Sequence, residues 1–343
     1  MNQTFLVTGG TGFLATHLIM QLLARGLHVR TTVRSAQKEA VVIKTLQTNH
    51  ARNIENLTCA RADLLADDGW TAAVQNVDGV FSVASPVFFG DVTDTDAILN
   101  TSREGTLRIL RMAQKLHVRR VIMTANFGAV GFTKRAQPGA LTTAADWTDA
   151  ENHGLSIYEK SKLLAEKAAW AYVQQPDVTL EFATINPVAI FGPALGNHVS
   201  GSFDLLTNLL NGSMKRIPNL PLNLVDVRDV ADAHIRAMLT PEADGQRFIV
   251  SNDGQISLPE IAQLMRTQRP ALAEKVTTKK LPNWLINLGA PFNAQARAGA
   301  LMIHMNRNMS NERARTVLGW TPRADNEALV LTTIDSLHEH GII

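Results

Sequence analysis

Tyr158 and Lys162 are residues whose types and spacing invite chemistry in this 343-residue chain. They stand four apart in Tyr158-Glu159-Lys160-Ser161-Lys162. On a helix that spacing puts the phenol and the ammonium on one face. A free phenol, with a pKa near 10, exchanges protons poorly at neutral pH. A neighbouring positive charge stabilises the phenolate and turns the pair into an acid–base device. Tyr-x-x-x-Lys also occurs on ordinary surface helices, so the pair gains meaning only from what surrounds it.

The run Thr8-Gly9-Gly10-Thr11-Gly12-Phe13-Leu14-Ala15 lies about 145 residues upstream, between an apolar strand-like run and a helical pattern. Glycines there let a backbone approach a pyrophosphate, and the uncapped N–H groups of the next helix favour negative charge. Gly9, Thr11, Gly12, Phe13 and Leu14 are therefore expected to hold a dinucleotide. The order strand, glycine loop, helix is what distinguishes this from a bare turn. The second strand ends in Val33-Arg34-Ser35 with Lys38 close behind and no acid. Bases there suit the 2′-phosphate of NADP, where a carboxylate would select NAD. Asp63-Leu64 follows the third strand, where the acid can bind adenine or simply cap a helix.

These groups need elements to position them. Short β-branched runs alternate with helical patterns through the first two-thirds. Strands are read at 4–8, 28–33, 56–60, 79–84, 120–124 and 179–185, with helices at 14–24, 39–46, 97–116 and 156–173. Alternation of this kind predicts an α/β fold with a doubly wound parallel sheet. Residues 1–185 are assigned to it, with a return segment at about 225–235. Residues 186–343, richer in Pro and Gly at first and mostly helical later, are assigned mainly to a smaller C-terminal substrate lobe. Arg247–Val250 reads as an isolated short strand within that lobe.

Composition narrows the class. The net charge is only +2 with the bases scattered, which argues against nucleic acid as a partner. The apolar fraction of 45% is that of an ordinary globular enzyme. A single cysteine, Cys59, permits no internal disulfide and suits a reducing compartment. No leader and no apolar stretch of membrane-spanning length is evident, so a cytoplasmic protein without a membrane partner is expected. The ten histidines show no ligand spacing, and no metal is expected.

Taken together the motifs resemble the extended short-chain dehydrogenases/reductases, in the branch of dihydroflavonol reductases, cinnamoyl-CoA reductases and microbial aldehyde or ketone reductases. The matching pieces are TGGTGFLA (8–15), VRS (33–35), ADL (62–64), VASPV (83–87), EGT (104–106), WTD (147–149), YEKSKLLAEKAAW (158–170), INPVAIFGP (185–193), VDVRDVADAH (225–234) and LGWTPR (318–323). They occur in family order along nearly the whole chain. The resemblance implies a Rossmann domain, NADPH as cofactor and a small-molecule carbonyl substrate. It implies hydride transfer, with Tyr158 as proton donor and Lys162 on the nicotinamide ribose. Ala84, Ser85 and Pro86 would line the cofactor crevice, with Pro187 and Ile190 near the nicotinamide. Phe88, Phe89, Phe132 and Pro86 are expected in the substrate wall. Monomer and homodimer both remain open.

Two departures matter. The family has Thr-Ser-Ser at the end of the fifth strand, whereas this chain has Thr124-Ala125-Asn126. Asn126 stands at the serine position, and its amide can donate to a carbonyl oxygen as a hydroxyl would. Thr124, two residues back on the same strand face, is the alternative donor, and Asn126 would then only shape the turn. The Asn-Trp-Tyr run of cinnamoyl-CoA reductases is replaced by Ser156-Ile157-Tyr158, which makes a free carbonyl compound a better fit than a CoA thioester. A nucleotide-sugar epimerase or dehydratase, disfavoured by Arg34, and a non-catalytic NADP sensor, disfavoured by the intact Tyr–Lys pair, are the competing readings.

Overall fold

The computed structural model describes residues 3–85 and 95–343. Seven strands form one wholly parallel sheet: β1 (Thr4–Val7), β2 (His28–Val33), β3 (Leu57–Arg61), β4 (Gly79–Ser82), β5 (Arg120–Thr124), β6 (Glu181–Pro187) and, much later, Arg247–Val250. The short strands between are β7 (Ala189–Phe191), β8 (Ile217–Pro218), β9 (Pro221–Leu222) and β10 (Leu224–Asp226), so Arg247–Val250 is β11. The sheet order is 3-2-1-4-5-6-11. The chain reverses direction between β1 and β4, and in such sheets the crevice for a ligand opens at the carboxyl ends beside that reversal.

Side chains alternate across the sheet, as the strand repeat of two dictates. Phe5, Val7, Phe81 and Ile122 enter one apolar core, and Leu6, Val80, Val121 and Met123 enter the other. The first core is covered by α1 (Phe13–Ala24) and the second by α3 (Trp70–Val74), α4 (Thr95–Lys115) and α5 (Ile157–Val173). Buried on both faces, these strands read as continuous apolar runs. Helix α2 (Ala36–Thr48) flanks β2.

The remaining helices are α6 (Asp204–Leu210), α7 (Val227–Leu239), α8 (Leu258–Gln268), α9 (Asn283–Gly289), α10 (Ala294–His304), α11 (Glu312–Leu318) and α12 (Asn326–Glu339), with β12 (Ile256–Ser257) and β13 (Lys280–Leu281). The reading of Arg247–Val250 as an isolated strand is corrected: it pairs with β6 in register Arg247–Thr184 to Val250–Pro187 and is fully buried. Pairing satisfies its backbone groups, which a lone strand could not do. Helix α7 packs on α1 and β5, within the sheet's layers. At its start Arg228 pairs with Asp226 and Asp229 with Arg323, rather than with each other. Among the described residues no helix is long and apolar enough to cross a membrane.

Candidate active site

A cleft of about 660 Å³ runs along the carboxyl ends of the strands. Its floor begins with the glycine loop. Gly9 donates to the Thr32 hydroxyl at 2.8 Å and Gly10 to the Thr32 carbonyl at 2.9 Å, which ties the loop to β2. Gly9 has φ +72°, and a Cβ there would sit 2.9 Å from the Ala84 Cβ, so both backbone angle and space require glycine. Thr8 accepts from the N–H groups of Val83 and Ala84, each at 2.9 Å, clamping the end of β4 beside the loop. Helix α1 starts at Gly12 with no side-chain cap, leaving its first N–H groups turned to the cleft.

Gly9, Thr11, Gly12, Phe13, Leu14, Arg34, Lys38, Asp63, Leu64, Ala84, Ser85, Pro187 and Ile190, all expected from sequence, line this one cleft. So do Thr124, Asn126, Tyr158 and Lys162. Among the described residues Arg34 and Lys38 have no carboxylate partner. Phe132 is buried, with its ring packed at an angle against that of Phe127, and is not among the described residues that line the cleft. Two apolar rings behind the turn gain more from packing on each other than from facing water. Pro86, Phe88 and Phe89 lie outside the described residues. Sequence reading missed His198, Ser200 and Ser202, which reach the cleft from the loop after β7 with no motif to announce them.

Helix α5 begins with a full capping box. The Ser156 hydroxyl accepts from the Glu159 N–H, and the Glu159 carboxylate accepts from the Ser156 N–H at 2.7 Å. The box fixes the first turn, which carries Tyr158. Lys162, one turn on, has its Nζ 5.6 Å from the Tyr158 ring centre and donates to the Ser85 hydroxyl. Desolvation brings the Lys162 pKa down to about 8.

Tyr158 leaves 58% of its surface open to the cleft. Its phenol is nonetheless held above its ordinary pKa, first by the desolvation of its surroundings and then by the Glu159 charge, while a hydrogen bond from Asn126 acts the other way. The expectation that the Lys162 ammonium, together with the oxidised nicotinamide ring, lowers this phenol concerns the cofactor-bound protein. The ammonium is turned to Ser85, and it is itself weakened by desolvation.

Asn126 shapes the turn after β5, and its amide also reaches Tyr158. Its Oδ1 accepts from the Gly128 N–H at 2.6 Å, capping the turn after β5. That anchorage leaves the amide NH2 as the group facing Tyr158. Thr124 is different. His234 is wholly buried and its pKa falls to about 4, so its ring is neutral. Its Nδ1 donates to the Val230 carbonyl at 2.7 Å, leaving Nε2 as an acceptor, 2.7 Å from the Thr124 hydroxyl. The Thr124 proton is thus committed to His234, and only lone pairs face the cleft. This geometry favours Asn126 over Thr124 as the donor.

Comparison with known proteins agrees with this architecture. Residues 6–257 match the model of the 3-beta hydroxysteroid dehydrogenase/isomerase family. The chain is 33% identical over 271 residues to a cinnamoyl-CoA reductase of Medicago truncatula, covering 78% of this chain and 81% of that one. It is 30% identical over 271 residues to tetraketide alpha-pyrone reductase 2 of Arabidopsis thaliana, covering 78% and 83%. Among solved structures, the yeast methylglyoxal/isovaleraldehyde reductase complexed with NADPH superposes with a TM-score of 0.80 at 25% identity, covering 99% of this chain and 100% of that one.

Proposed function

Because the chain belongs to the 3-beta hydroxysteroid dehydrogenase/isomerase family, within the extended short-chain dehydrogenases/reductases, we propose that this oxidoreductase uses NADPH to reduce an aldehyde or ketone, with Tyr158 giving the proton. One observation carries the reading. A single cleft joins Arg34 and Lys38 at β2 to Tyr158, Lys162 and Asn126 beyond β5. The residues present fit the cofactor: a Cβ at Gly9 would crowd the loop's seat against Ala84, and α1 presents uncapped N–H groups. Arg34 and Lys38 would hold the 2′-phosphate, the glycine loop the pyrophosphate and Lys162 the nicotinamide ribose.

When bound, NADPH supplies the hydride. The chain's own residues supply the rest. Tyr158, with its pKa raised, remains protonated through the neutral range and can give its Oη proton to the oxygen of the reduced carbonyl. The Asn126 NH2, anchored through Oδ1, can donate to the same oxygen as charge builds on it. Thr124 offers only acceptance, so it can orient a donor but cannot stabilise the oxyanion.

Free carbonyl compounds are favoured over CoA thioesters because the residues preceding Tyr158 are Ser156 and Ile157. The test is the loss of NADPH absorbance against a panel of aldehydes, ketones and diketones, with NADH in parallel. Turnover with NADPH well above NADH supports the reading. Tight NADPH binding without turnover on any carbonyl in the panel would refute it.

A further inference from the structure

The loop after β7 brings one more base to the β2 end of the cleft. Its root is fixed from three sides. The neutral His17 ring of α1 donates from Nε2 to the Pro193 carbonyl at 2.9 Å, its pKa brought to about 4 by burial. Asn49, capping α2, donates to the Leu195 carbonyl at 2.7 Å. The Ser336 hydroxyl of α12 accepts from the Ala194 N–H at 2.7 Å. From this root the chain passes α2, with Gly196 set beside Thr45, and places His198 in the same cleft wall as Arg34 and Lys38.

We propose that His198 is a third cationic ligand for the 2′-phosphate of NADPH, joining Arg34 and Lys38 from the loop after β7. This rests on the cofactor reading above and deepens it. Arg34 and Lys38 are fixed charges without carboxylate partners among the described residues, so the site lacks an anion that a phosphomonoester would supply. Asp63, a carboxylate lining this cleft, accepts from the Leu65 N–H at 3.0 Å. His198 shares the cleft with Arg34, Lys38 and Asp63, and of these the Lys38 charge acts on its ring. In the free protein desolvation, and then the Lys38 charge, keep its ring below the ordinary histidine pKa. A bound phosphate dianion reverses that balance and favours the imidazolium.

Two consequences follow for binding. Affinity for NADPH gains a component that is present when the ring takes up its proton and is lost as pH rises. NADH, which has no 2′-phosphate, gains none. The experiment is calorimetric titration of NADPH, NADH and adenosine 2′-monophosphate into the unaltered protein and into His198→Gln, at about pH 6 and about pH 8. The phosphate also titrates near pH 6, but this contribution is common to both proteins. His198→Gln is expected to weaken NADPH and adenosine 2′-monophosphate roughly five- to tenfold at the lower pH, much less at the higher, and to leave NADH unchanged. Equal affinities of the two proteins for NADPH at both pH values would overturn the proposal, as would an equal loss for NADH. If the unaltered protein itself does not prefer NADPH to NADH, the cofactor reading falls first, which separates the two failures. His198→Lys, a fixed cation, is expected to restore tight binding and abolish its His198-linked pH dependence.

Discussion

At the scale of single residues, the site is an inventory of protons. Tyr158 holds one that it can give, Asn126 holds two in an NH2 aimed by its own carbonyl, and Thr124 has committed its only one to His234. Tyr158→Phe is expected to reduce turnover roughly 10²–10⁴-fold while NADPH titrates as before; near-normal turnover would remove the proton-transfer role. Asn126→Ala should lower kcat and also move the pH profile. In the direction of alcohol oxidation the phenolate is the working form, so the rate rises with pH through the Tyr158 pKa. The Asn126 hydrogen bond lowers that pKa. Its loss should therefore shift the rise to higher pH, an effect absent if Asn126 only caps the turn. The Tyr–Lys spacing and the Asn-for-Ser exchange were legible in sequence. The direction of the Thr124 proton was not, because His234 stands 110 residues away and meets Thr124 only where α7 packs on β5.

At the scale of elements, α5 carries Tyr158, Lys162 and Glu166 at successive steps of four, hence on one face. Glu166 is fully buried and pairs with Arg247 of β11 at 2.8 Å, while accepting from Thr184 at 3.0 Å and Asn186 at 2.8 Å of β6. Arg247 in turn lies 3.6 Å over the Trp147 ring and donates to the carbonyls of Ala144 and Asp146. This ion pair thus docks α5 on the sheet edge. Glu166→Ala leaves a buried guanidinium uncompensated and should cost about 3–5 kcal/mol, measured by denaturant unfolding; a loss within error would show the helix to be held by apolar packing alone. The buried histidines give a pH dependence. His17 and His234 titrate at about 4 in the folded protein against 6.5 when free. Below pH 6.5 the unfolded chain takes up protons that the folded one refuses, so stability should fall as pH drops from about 6.5 toward 4. Melting curves across that range check it, and His234→Gln should flatten the slope.

At the scale of the whole molecule, the proposed reaction divides the cleft, with cofactor choice at the β2 end and chemistry beyond β5. Arg34→Ala should weaken NADPH roughly tenfold or more and leave NADH nearly unaffected, read as the ratio of their dissociation constants. An unchanged ratio would move the phosphate site away from β2. The separation follows from the sheet order, which puts β2 and β5 on opposite sides of the β1–β4 reversal.

What the amino-acid sequence determined by itself was whatever local periodicity and short motifs encode. The boundaries of β2, β5 and β11 and the strand–glycine loop–helix unit belong here, because runs of β-branched residues and the demand for glycine at Gly9 act within a few residues. What only the tertiary structure decided was pairing over distance. The place of β11 beside β6, the inward turn of Phe132, the His234 bond that fixes the Thr124 proton and the arrival of His198 beside Lys38 all depend on it. In each case the partner lies on another element, and its identity is set by the burial and hydrogen-bond demands of a packed interior rather than by its neighbours in the chain.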